Sequence, residues 1–316
     1  MAHDSGRPRW FVWLKWVIVA VVIAGLVVML RGVLRDLQTS KIDLRELRWE
    51  WLVASCVLYG LGTIPGCIYW HRVLESMGQR PAWGRSLRAF FFSQLGKYVP
   101  GKAMVVVMRT SMISGPEVRP AIAVTSVFVE TLTWMAVGAT IGSLLLALLH
   151  PEQRWLAPIG IGFAVCAFLS LSPPVLGRAL QMVRRLKGRT ADESEIRSVS
   201  YGTIASGWLL MSLGWTMVGA SMWAVLFAVP GPPAGWNHFG LAMECVTLSI
   251  VIGIASLIPG GLGVRELVIV PLLTRDFGAP KALTCAILIR LVWLISEVAI
   301  VGIIQLGSSW PKSRLR

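Results

Sequence analysis

Apolar residues fall along this chain in long runs, and the polar residues collect in short clusters between them. Six runs stand out: Trp10–Leu30, Trp49–Trp70, Ala121–Leu149, Trp155–Leu171, Ile204–Val229 and Ala282–Leu306. Unbroken stretches of this length with few charges read as membrane-spanning helices. The pattern therefore predicts an all-α polytopic membrane protein with about six full transmembrane helices. Between the first two runs, Arg31–Arg48 is polar, with apolar positions at Val33, Leu34, Leu37, Ile42, Leu44 and Leu47, and reads as a surface amphipathic helix.

Two further apolar stretches do not fit a simple span. Ala89–Met108 is interrupted by Gln94-Leu-Gly-Lys-Tyr-Val-Pro-Gly-Lys102, and Phe239–Leu273 by Pro259-Gly-Gly-Leu-Gly-Val-Arg-Glu266. Proline removes a donor and glycine permits unusual backbone angles. In hydrocarbon each unsatisfied backbone group costs several kcal/mol, so such a break survives only where protein or water surrounds it. A matched pair of interrupted segments is the pattern of a transporter site between inverted repeats. The sequence thus predicts two oppositely oriented re-entrant helical hairpins, 89–108 and 239–273. Each leads into a span with an embedded acid, Glu130 or Glu297. The repeats run over about 82–149 and 239–306 within a single domain, 1–316.

Composition agrees with the membrane reading: 55% of residues are hydrophobic and 15% charged, against about 25% charged in soluble domains. The net charge of +14 lies mostly in loops beside apolar runs. It points to anionic headgroups and positive-inside anchoring rather than to nucleic acid. The basic 176–200 loop and the C-terminal tail are placed in the cytoplasm, and the uncharged Pro230–Gly235 turn outside. Both termini are then cytoplasmic, the first hairpin enters from the cytoplasm and the second from outside. The five cysteines sit in apolar runs without a C-x-x-C pair, and no H-E-x-x-H spacing occurs, so neither a metal nor a cofactor is expected.

Ionisable residues at membrane depth cost about 2.5–3.5 kcal/mol on the insertion scale and default to functional candidates. Lys102, Arg109, Arg265 and Arg290 are candidates for a phosphate, since the arginine fork matches two oxygens. Pro259, Gly260, Gly261 and Gly263 form the second break around them, and Pro100 and Gly101 the first. Glu130, Glu266 and Glu297 would balance charge or carry protons. Arg290 and Glu297, seven apart, share a helix face. Lys97 and Glu244 read more readily as structural ion-pair partners. No catalytic residue is expected: there is no Asp within a span, no G-x-S-x-G elbow and no phosphate loop.

Gly96-Lys-Tyr-Val-Pro-Gly-Lys102 with Arg109, and Pro259-Gly-Gly-Leu-Gly-Val-Arg-Glu266, resemble the signatures of the lysylphosphatidylglycerol synthase transmembrane family. This is the flippase-like membrane domain of the bacterial multiple peptide resistance factor. The likeness covers about Trp10–Leu306. It implies a multi-pass protein of a prokaryotic plasma membrane that moves or binds a phosphate-bearing lipid, anionic, aminoacylated or polyprenyl-linked. The resistance factor continues into a soluble aminoacyltransferase domain; this chain is expected to lack one, and so to be a translocase rather than an enzyme. The rival expectations are an intramembrane enzyme and a membrane subunit for a separately encoded lipid-modifying enzyme. A homo-oligomer is compatible with all three.

Overall fold

The computed structural model describes residues 45–99, 103–156, 199–256 and 263–309, with isolated positions between 24 and 35 and between 158 and 169. Most of the expected spans at 10–30 and 155–171, most of the basic 176–200 loop, and Pro100, Gly101, Lys102, Pro259, Gly260 and Gly261 lie outside the described residues. The described chain is helical: α1 (Trp49–Ser76), α2 (Trp83–Gln94), α3 (Ala103–Ile113), α4 (Pro120–Leu149), α5 (Tyr201–Ala228), α6 (Phe239–Ala255) and α7 (Val264–Ser309). Five helical stretches are long and apolar enough to cross a membrane: Trp49–Ser76, Pro120–Leu149, Tyr201–Ala228, Trp236–Ala255 and Val264–Gly307. The protein is a multi-pass membrane protein.

The short helices are as informative as the long ones. α2 and α3 have 12 and 11 residues. At about 1.5 Å per residue each falls well short of a hydrocarbon core about 30 Å thick. They pack on one another, with the tight turn Leu95–Tyr98 following α2. The α7 helix contains one break. Gly278, at φ 76° and ψ 157°, turns the chain, and Pro280 stands in the first turn beyond it, where a missing N–H costs nothing. The break divides α7 into arms 264–277 and 279–309. Helix runs up to this glycine and resumes after it.

The core lies where α1, α4, α5, α6 and α7 meet, with α1 against α5 and α4 against α6 the most extensive pairings. Lipid tails are as apolar as leucine, so hydrophobicity alone cannot choose which face turns inward; small and polar residues do. On α1, Val53, Val57, Leu61 and Ile64 form an exposed stripe. Its opposite face buries Ser55, Tyr59, Gly62, Gly66 and Cys67. Ser55 and Ser221 of α5 share a hydroxyl pair at 2.8 Å, and Ser55 Oγ also donates to the Ser221 carbonyl at 2.7 Å. Between α1 and α4, Trp70 Nε1 donates to Ser126 Oγ at 2.9 Å, and the Tyr69 and Thr133 hydroxyls lie 3.1 Å apart.

Close approach of α4 to α5 depends on glycines on both helices, Gly138 and Gly214. Trp134 and Trp215 stack with ring centroids 4.1 Å apart, and a β-carbon at Gly138 would sit 2.3 Å from Trp215 Cζ2. Gly138→Ala is expected to destabilise the bundle by about 1–3 kcal/mol through overpacking, measured as a lowered thermal midpoint of the purified protein. An unchanged midpoint would show that this helix contact is not tight.

A cluster of buried charges at the broken segments

Two groups of buried charges involve α2, α3 and the turn that follows α2. The first joins α3 to α4. Arg109 Nη1 donates to Glu130 Oε2 at 2.8 Å, and its Nε donates to Ser93 Oγ of α2 at 2.9 Å. The guanidinium also lies over Phe90 at 4.4 Å and Trp70 at 5.1 Å. Arg109 is 2% exposed, so its donors are turned to the protein. This pair ties both short helices to the following span.

The second group gathers residues far apart in sequence. The Lys97 ammonium, at the turn after α2, meets the Glu297 carboxylate of α7, and the Tyr59 hydroxyl of α1 donates to that carboxylate. Lys97 Nζ also donates to the Tyr59 hydroxyl at 3.2 Å and lies over the Tyr98 ring at 5.2 Å. Within α7, the Arg290 guanidinium of the long arm meets the Glu266 carboxylate of the short arm. Arg290, Trp293 and Glu297 stand at i, i+3 and i+7, so one helix face presents all three. Trp293 stacks on Tyr59 at 5.4 Å, and the Arg265 guanidinium lies over the Trp293 ring at 5.2 Å.

Adjacent residues Arg265 and Glu266 thus meet different partners. Among the described residues Arg265 has no ion-pair partner, and its Nε–H finds no hydrogen-bond acceptor. Glu297, Arg290 and Arg265 are 2%, 4% and 9% exposed, so these charges act in a low-dielectric setting where an uncompensated one is costly. Three cations (Lys97, Arg265, Arg290) face two carboxylates (Glu266, Glu297). The surplus is positive, and the polar atoms Glu266 Oε2, Glu297 Oε2, Arg290 Nε and Trp293 Nε1 also lack protein hydrogen-bond partners among the described residues. Such a locale suits a polar, negatively charged group.

Gly263 holds φ 77° where the chain enters the short arm of α7, a conformation that favours glycine. Lys102, Pro100, Gly101, Pro259, Gly260 and Gly261 lie outside the described residues. Of the remaining candidates, Arg265, Glu266, Arg290 and Glu297 gather in one cluster, while Arg109 and Glu130 form the separate, enclosed pair. Tyr59, Tyr98 and Trp293 belong to the cluster without having been selected by the sequence, and Lys97 has a larger place in it than its spacing suggested. An aromatic residue in an apolar span carries no periodic signal; its role depends on a partner from another helix.

Residues 12–300 match the family model described as lysylphosphatidylglycerol synthase TM region. No curated protein matches the chain.

Proposed function

Because the chain belongs to the lysylphosphatidylglycerol synthase TM family, a family of membrane proteins in lipid modification or translocation, we propose that it translocates a lipid with a phosphate-bearing headgroup across a prokaryotic plasma membrane. The observation that carries this reading is the buried cluster with one surplus cation, Arg265, lying where the broken segments meet the long arm of α7. A planar guanidinium fixed over an aromatic face presents its fork to two phosphate oxygens.

In this reading α2 with α3, and α6 with the short arm of α7, are re-entrant hairpins that enter from the cytoplasm and from outside respectively. They belong to inverted repeats over about 82–149 and 239–306, with both chain termini cytoplasmic. Arg265 and Arg290, with Lys102, Pro259, Gly260, Gly261 and Gly263, contact the headgroup; Glu266 and Glu297 balance charge. Arg109 and Glu130 position the first hairpin. The Lys97–Glu297 contact bridges the first hairpin to the last span of the second repeat, so a headgroup phosphate that draws Lys97 from Glu297 would also part the two repeats.

Lipids carried through purification provide the test. Mass spectrometry of the purified protein is expected to show phosphate-bearing lipids enriched over their share of the host membrane. Bound lipid matching the bulk membrane, or lacking phosphate, would contradict the proposal.

A further inference from the structure

A third set of charges lies away from the cluster, where the end of α4, the start of α6 and the kink of α7 converge. Glu244, on α6 inside a candidate span, is 0% exposed. Its Oε2 lies 3.2 Å from Nε2 of His150, the residue that ends α4. Neither atom finds hydrogen-bond alignment, and Glu244 Oε1 has no hydrogen-bond partner either among the described residues. On the other side of the imidazole, His150 Nδ1 is 3.6 Å from Glu152 Oε1. Glu152 is exposed and reaches the exposed Arg275 on the short arm of α7 at 3.4 Å. Carboxylate, imidazole and carboxylate therefore run in sequence from the interior to the surface.

We propose that Glu244 and His150 form a proton-binding site, loaded from the surface through Glu152 and His150, and that its occupancy couples a proton to movement of the second hairpin. The coupling rests on the translocation reading above; the site itself does not. A fully buried carboxylate cannot stay charged without a partner. One proton held between Glu244 Oε2 and His150 Nε2 neutralises the carboxylate or pairs it with an imidazolium. Histidine is suited to passing that proton because its two nitrogens face opposite partners. Loading is a simple transfer from water to the pair, with no other bond broken. The hairpin is involved because Glu244 sits on its first arm and Arg275 on its second, three residues before the Gly278 break, whereas His150 and Glu152 belong to the adjoining α4 and its following turn.

Beyond Glu130 of α4 and Arg265, Glu266, Arg290 and Glu297 of α7, already described, the other ionisable groups of the packed elements are few. The long arm of α7 contributes Lys281, whose Nζ donates to the Pro232 carbonyl at 2.7 Å, and Cys285. The short arm adds Asp276 beside Arg275, α6 adds Cys245, and the turn before α6 adds His238, whose ring lies against Phe277. From α5 comes only Tyr201, at that helix's first position. No second carboxylate shares the buried position among these groups.

The test is a pH titration of the purified protein in lipid nanodiscs by infrared difference spectroscopy, following the carbonyl stretch of a protonated carboxylic acid. Wild type is expected to show a titrating band that disappears in Glu244→Gln and persists in Glu244→Asp. In His150→Gln its midpoint is expected to move by about tenfold or more in proton concentration. A band unchanged in Glu244→Gln would overturn the site, as would a midpoint indifferent to His150. Wild-type protein that moves no lipid in vesicles yet shows this titration would count against translocation and leave the proton site standing. If lipid moves but its rate is the same with and without an imposed proton gradient, the coupling is overturned.

Discussion

Replacing Arg265 with alanine is expected to weaken retention of a phosphate-bearing lipid by at least about 30-fold, since truncating one side of a buried charge contact costs about 2–5 kcal/mol. Lipid movement should fall with it. The same substitution should leave the folded protein as stable as before. Arg265 supplies the surplus positive charge of the cluster and has no ion-pair partner among the described residues, so its removal abandons no carboxylate. That combination separates a ligand contact from a structural one. Arg265→Lys should fall between wild type and alanine, because the charge remains but the fork over Trp293 is lost. Radiolabelled lipid retained on the protein and the thermal midpoint of the same samples provide the two readouts. A midpoint that collapses in Arg265→Ala would assign the residue to the scaffold.

The opposite result is expected at Arg109. Arg109→Ala strips Glu130 of its only ion-pair partner among the described residues in a site where Glu130 is 8% exposed. Removing one member of a buried pair costs about 3–5 kcal/mol, whereas replacing both by apolar residues of similar volume can be neutral. Arg109→Ala and Glu130→Ala should therefore each lower the thermal midpoint sharply. Arg109→Met combined with Glu130→Leu should recover much of the loss. If the double variant were no better than either single one, the pair would not act as the unit described. The Ser93 hydroxyl and the Phe90 and Trp70 rings around Arg109 explain why the substitution is felt by α1, α2 and α4 together.

These contrasting expectations show what a single sequence reveals of a membrane protein. Apolar runs mark the long helices because the hydrocarbon core imposes a minimum length; α1, α4, α5 and the long arm of α7 fall on them. The proline and glycine clusters mark where helix must stop, and α2, α3 and α6 end or begin beside them. What the sequence does not carry is which helix meets which. Arg109 and Arg265 look alike as isolated cations at membrane depth, yet one is enclosed by Glu130 and Ser93 and the other has no ion-pair partner among the described residues. Lys97 and Glu297 are 200 residues apart, and no local periodicity joins them. His150 and Glu244 likewise appear as a span-end histidine and a span-embedded acid until the α4–α6 contact sets them side by side. Small residues set those contacts in lipid, and glycine positions such as Gly138 identify them only once the opposing tryptophan is seen.

Vesicles containing the purified protein measure translocation directly. Proteoliposomes carrying a head-labelled phosphate-bearing lipid, anionic, aminoacylated or polyprenyl-linked, should show label crossing between leaflets faster than protein-free vesicles, with the excess lost in Arg265→Ala. Crossing at the protein-free rate for every one of these lipids, from protein shown to be folded, would contradict translocation.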